Sequence, residues 1–193
     1  MAVELSGKIA LITGGGQGVG QGVALAMAGA GASVVLFGRT LAKLVVTAAM
    51  ITERGGKALT VAGDVASADD LGAAVQAAVD GFGGVDILVN NAQVVPNGPL
   101  EKVTDEAFLA GFTTGPLAVL RLMKLVRPIM AARGGGVIFN LVSSAGIRWD
   151  MAGYGAYGSV KQAIRPLTRA AASEWGGDNI RVLNIAPHAK SPG

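Results

Sequence analysis

Short apolar runs alternate with longer stretches of helical period along almost the whole chain, and this rhythm restricts the fold more than any other feature. Lys8–Thr13 is a strand candidate, followed by a glycine cluster and an Ala-rich helical stretch from Gly18 to Ala30. The pattern repeats as strand Ser33–Phe37, helix Leu41–Arg54, strand Ala58–Val61, helix Ala68–Phe82 and strand Ile87–Val89. After a loop at Gln93–Pro99, the sequence predicts a helix from Asp105 and a long helix ending at Ala132. A strand at Val137–Leu141, a helix over Tyr154–Trp175 and a last strand at Ile180–Ile185 follow. Each strand run is apolar on both faces, as strands are when helices cover both sides of a sheet. The expectation is an α/β fold with a doubly wound parallel sheet, forming one domain over residues 1–193, with ligands held beyond the strands' carboxyl ends.

Composition excludes several function classes. With no cysteine and one histidine, His188, the chain offers neither a disulfide framework nor a histidine or thiolate zinc site, so no metal is expected. Its net charge is +3 with Lys and Arg scattered singly, which argues against a nucleic-acid partner. The N-terminus carries no basic stretch ahead of an apolar one, and no apolar run reaches the roughly 18 to 20 residues of a membrane span. Cytoplasmic residence without a membrane partner is the expectation.

Between the first strand and first helix lies Thr13-Gly14-Gly15-Gly16-Gln17-Gly18-Val19-Gly20. Backbone amides and the positive helix end can hold a pyrophosphate there, and glycine lets the backbone come close; a plain tight turn is the bland alternative. Gly14, Gln17, Gly18, Val19 and Gly20 are therefore candidate cofactor-binding residues of a Rossmann-type dinucleotide site. The second strand ends in Phe37-Gly38-Arg39-Thr40, with an arginine and no carboxylate where a ribose 2′-hydroxyl would otherwise be read. A guanidinium matches a 2′-phosphate, so NADP(H) is favoured over NAD(H) unless Arg39 merely solvates a loop. Asp64 and Val65, after the third strand, are candidates to meet the adenine, although an Asp there also serves as a cap. A P-loop is excluded, since Gly-x-x-x-x-Gly-Lys-Ser/Thr is absent.

Tyr157-Gly158-Ser159-Val160-Lys161 sets a phenol and an ammonium on one helix face. Ser143-Ser144 lies just past the fifth strand, at the same sheet edge as the glycine loop. Hydride reduction of a carbonyl leaves an alkoxide that needs a proton, and a phenol of ordinary pKa near 10 is a poor acid-base at neutral pH. Lys161 would favour the phenolate and lower the Tyr157 pKa, while Ser144 would hydrogen-bond the substrate oxygen. Ser144, Tyr157 and Lys161 are the candidate catalytic residues.

With these motifs in order, the sequence resembles the short-chain dehydrogenase/reductase family along nearly its whole length. Thr13 to Gly20 fits the family's Thr-Gly-x-x-x-Gly-x-Gly, Asn90-Asn91-Ala92 fits Asn-Asn-Ala-Gly, and Tyr157 and Lys161 fit Tyr-x-x-x-Lys. Ser144 stands thirteen residues before Tyr157, the family's common spacing. The resemblance, which extends to 3-oxoacyl-acyl-carrier-protein reductase-like members, implies an NADP(H)-dependent oxidoreductase acting on a carbonyl or alcohol. It implies that Asn91 and Ala92 lie near the adenosine ribose, that Tyr157 and Lys161 also touch the nicotinamide side, and that Pro187 follows the sixth strand beside it. It also implies a homodimer or homotetramer packed through small-residue faces of helices at about Gly115–Ala132 and Tyr154–Trp175.

Three departures stand against this pattern. Gly115 occupies the position of the asparagine that supports the family's proton relay, and Phe112-Thr113-Thr114-Gly115-Pro116 contains no asparagine in any register. Gln93 replaces the last glycine of Asn-Asn-Ala-Gly, and Pro187-His188 replaces Pro-Gly. The family also continues into a substrate-covering loop and a seventh strand, whereas this sequence stops at Gly193, apparently lacking the last strand and leaving strand six as an apolar edge. These departures motivate a second expectation, a nucleotide-binding module with impaired catalysis that acts through partners.

Overall fold

A computed structural model describes residues 4–148 and 152–187. Six parallel strands form one sheet: β1 (Ile9–Thr13), β2 (Ser33–Gly38), β3 (Lys57–Ala62), β4 (Ile87–Asn90), β5 (Gly136–Leu141) and β6 (Ile180–Ile185). Their order is β3-β2-β1-β4-β5-β6, so the chain winds outward from β1 to one side, returns, and winds to the other. The doubly wound α/β fold is as the apolar runs predict.

Helices α1 (Gly18–Gly29) and α2 (Leu41–Thr52) cover one face, where Ala24, Leu44 and Ile51 pack on Ala10, Ile12, Val34 and Leu36. The other face carries α3 (Ala68–Phe82), α5 (Ala118–Ala132) and α6 (Gly155–Trp175), which bury Leu71, Leu122, Val126 and Ile164 against Leu11, Val35, Leu88 and Ile138. Alternate residues of each strand feed opposite cores, which is why the strands read as continuous apolar runs. On the first face the sheet beyond β4 is open among the described residues, with Leu183 and Ile185 exposed at 45% and 42%.

Helix starts follow local chemistry. Ser67 caps α3 by accepting from Asp70 N at 3.2 Å, and Thr104 caps α4 (Asp105–Phe112) by accepting from Ala107 N at 3.2 Å. Between α4 and α5 the helix widens into a π segment, Thr113–Leu117, where Pro116 has no N–H to give. The helical stretch Asp105–Ala132 is long and apolar enough, by length and composition alone, to cross a membrane. Half of its most apolar window is buried inside the body, as for a core helix packed on a sheet.

Polar side chains pin the sheet at both ends. Near the amino ends, buried Asp86 accepts from Ile9 N at 2.9 Å and from Arg133 Nη2 at 3.0 Å. Near the carboxyl ends, Asn90, Asn140 and Asn184 align across β4, β5 and β6. Asn90 Nδ2 donates to Asn140 Oδ1 at 2.8 Å, Asn140 Nδ2 to Thr168 Oγ1 at 2.9 Å, and Thr168 Oγ1 to Asn184 Oδ1 at 2.8 Å.

Candidate active site

Because all strands are parallel, every loop that leaves a carboxyl end reaches the same edge, and a cavity of about 380 Å³ opens there. Its wall includes Gly14, Gln17, Gly18, Val19, Arg39, Asp64, Val65, Asn91 and Ala92, which brings together nine of the candidate cofactor residues. Gly16, Thr40, Lys43, Gln93, Val94 and Thr114 also line it.

The glycine loop is held in shape by β4. Asn91 Nδ2 donates to Thr13 O at 2.9 Å, and the backbone amides of Asn91 and Ala92 donate to Thr13 Oγ1 at 2.9 and 3.0 Å. Gly14 adopts φ +69°, a conformation that a side chain disfavours. Gly20 does not line the cavity but sits beneath it: a Cβ there would stand 2.3 Å from Gly14 O and 2.5 Å from Asn91 Nδ2. The result is a concave cradle of backbone at a helix start, which fits a pyrophosphate.

Charge around the cavity is uneven. Arg39 and Lys43 lie on the wall near the start of α2, and Lys43 Nζ donates to Gln17 Oε1 across the mouth. Asp64 also lies on the wall, but its Oδ1 already accepts from Ala66 N at 2.9 Å. Lys43 is a site residue that the sequence reading missed; its signal is the spacing of four from Arg39 into the first turn of α2.

Tyr157 and Lys161 follow one another on α6, beyond the cavity's described wall. The serine whose hydroxyl acts on the Tyr157 phenol, lowering its pKa, is Ser143, which also accepts from Ala145 N at 3.1 Å. Ser144 instead opens a short 3-10 turn, Ser144–Gly146. That turn packs directly on α6 because residue 158 is glycine: a Cβ there would lie 3.0 Å from Ala145 O. Counting back from Tyr157 along the sequence does not by itself choose between Ser143 and Ser144.

The electrostatics also differ from expectation. Burial pushes the Tyr157 phenol above its ordinary 10, more than the Ser143 hydrogen bond lowers it, and neighbouring Tyr154 adds to the rise. Lys161, 5% exposed, is pushed down from 10.5 to about 8 by burial. Its Nζ donates to Leu141 O at 2.6 Å and lies 5.7 Å from the centre of the Tyr157 ring. The expected lowering of the Tyr157 pKa by Lys161 is therefore not realised in this arrangement. Pro187 follows β6 at the same edge, but it is exposed and outside the cavity wall; His188 lies outside the described residues.

Sheet, glycine cradle and Tyr-x-x-x-Lys helix together define a dinucleotide-fold oxidoreductase site. Residues 8–191 match the short chain dehydrogenase family, and the chain belongs to it. It is 39% identical over 192 residues to the 12alpha-hydroxysteroid dehydrogenase of Clostridium sp., covering 95% of this chain and 73% of that protein. L-sorbose reductase from Gluconobacter frateurii, solved with NADPH and L-sorbose, superposes with a TM-score of 0.93 at 35% identity, covering 100% of this chain and 73% of that one. A 7 alpha-hydroxysteroid dehydrogenase complexed with NADH and 7-oxo glycochenodeoxycholic acid matches at a TM-score of 0.91 and 35% identity, covering 96% and 72%.

Proposed function

We propose that this protein is an NADP(H)-dependent oxidoreductase that reduces a carbonyl, or oxidises the corresponding alcohol, with Tyr157, Ser143 and Lys161 as its reacting group. The observation that carries this reading is Tyr157 with Lys161 one turn away, its Nζ 5.7 Å from the ring centre, on the sheet edge that also holds Ser143 and the glycine cradle. Bound nicotinamide would supply the hydride. Tyr157, kept neutral by burial, is set to give its proton to the alkoxide oxygen, and Ser143 Oγ to donate a hydrogen bond to that oxygen as charge grows on it. Lys161, one turn along α6 with its Nζ held by Leu141 O, is the residue we assign to the nicotinamide ribose.

Arg39 and Lys43 on one wall support NADP(H), since two cations can share a 2′-phosphate. Named relatives that act on hydroxysteroids and on L-sorbose support a secondary alcohol or ketone as substrate class. A second copy of the chain is the partner we assign to the outer face of α4 and α5. That face is leucine-rich rather than small: a groove of about 290 Å³ is lined by Leu109, Phe112, Leu117 and Leu120, with Leu167 of α6 at its side.

The test pairs NADPH and NADH titrations with a carbonyl panel of 3-oxoacyl thioesters, steroids, sugars and simple ketones. Tyr157→Phe is expected to retain NADPH affinity and lose at least about a thousandfold in kcat, and Ser143→Ala to lose about a hundredfold. Ser144→Ala should stay within a few-fold of the parent. Full turnover by Tyr157→Phe would sink the assignment. Nucleotide binding without turnover on any substrate would favour the impaired module that Gly115 suggests.

A further inference from the structure

Gln93 follows β4 and lines the nucleotide cavity, yet its carboxamide is turned away from solvent. Both Oε1 and Nε2 are buried, and no described residue hydrogen-bonds either of them. Native proteins leave few such groups, and each has a cost that some other contact normally removes. The carboxamide lies where a side chain at residue 115 would be: a Cβ on Gly115 would stand 3.3 Å from Nε2, 3.4 Å from Cδ and 2.7 Å from Val160 Cγ1. The hollow is thus made by a glycine in the π segment and closed by a valine, and these groups offer no side-chain partner for the amide. Val160 adjoins Lys161, so Gln93 marks the α6 end of the cavity, whereas Arg39 and Lys43 mark the α2 end. Gln93 thus borders the cavity while its amide sits in the hollow.

We infer that Gln93 is a cofactor-responsive binding residue. On dinucleotide binding its carboxamide leaves the Gly115 hollow, turns into the cavity and hydrogen-bonds the ribose diol at the nicotinamide end. A carboxamide presents one acceptor and two donors side by side, which suits a pair of vicinal hydroxyls. The unmet polar demand inside the hollow makes that turn favourable. This inference rests on the dinucleotide reading of the same cavity.

The experiment compares the parent with Gln93→Met, which keeps length and removes both polar groups. Without added nucleotide, Gln93→Met is expected to melt a few degrees higher, because an apolar chain suits the hollow. Its Kd for NADPH is expected to rise about tenfold, the worth of an ordinary hydrogen bond or two. Binding of 2′,5′-ADP, which lacks the second ribose, should be equal in both proteins. Should Gln93→Met not fold, Gln93→Gly replaces it, with the same rise in NADPH Kd and no gain in melting temperature. NADPH and 2′,5′-ADP weakened together with a lower melting temperature would mean a structural role and overturn the inference. So would unchanged NADPH affinity. A parent that binds neither NADPH nor NADH removes the dinucleotide reading, and this inference with it.

Discussion

Lys161 is a buried cation, and its cost to the fold has a definite sign. Its pKa is pushed down from 10.5 to about 8, so below pH 8 the folded protein holds a charge that the unfolded chain solvates better. That penalty is fully present below pH 8 and fades as the pH climbs toward 10.5, because the unfolded chain then loses its proton as well. Lys161→Met is therefore expected to melt several degrees above the parent at pH 7, to lose that advantage by about pH 10.5, and to lose turnover. Thermal melts across pH check it, and a lower melting temperature at pH 7 would contradict it. Single residues were legible in the sequence where a rigid element fixes their spacing, as with Tyr157 and Lys161 on one helix or the glycines at the start of α1. Ser143, which we assign in place of Ser144, was not, because adjacent serines just past a strand cannot be told apart by spacing alone. Nor was the orphaned amide of Gln93, whose burial depends on a glycine twenty-two positions away.

At the scale of elements, the asparagine ladder joins β4, β5 and β6 to α6 through four buried or half-buried polar side chains. Asn140 is its centre and 0% exposed. Asn140→Leu would strand the amide of Asn90 and remove the donor to Thr168, for an expected loss of about 2–4 kcal/mol. A urea titration measures it; a loss under about 0.5 kcal/mol would mean that the ladder is dispensable. Strands and helices themselves were readable to within a residue or two, since apolar runs buried on both faces and amphipathic stretches differ in period. The π segment was not, although Gly115-Pro116 is a local reason for the helix to widen there.

Across the whole molecule, the outer face of α4 and α5 sets four leucines in solvent: Leu109 at 62%, Leu117 at 38%, Leu120 and Leu125 at 37%. With a second copy covering that face, Leu109→Glu/Leu120→Glu is expected to convert an oligomer into a monomer that keeps its fold. Light scattering with circular dichroism reads this out, and a parent already monomeric would reject the assigned partner. The doubly wound parallel sheet followed from the alternation of elements, but the leucine face did not, because outward leucines on a long helix look in sequence like further core. The pairing of β1 with β4 also carries a consequence for biosynthesis. Ile9 and Asp86 meet across 77 positions, so a ribosome that has released only the first three strands leaves the middle of the future sheet with one bare flank. That flank closes only when Ile87–Asn90 emerge, and until then an unpaired strand edge of the nascent chain stays exposed to other chains.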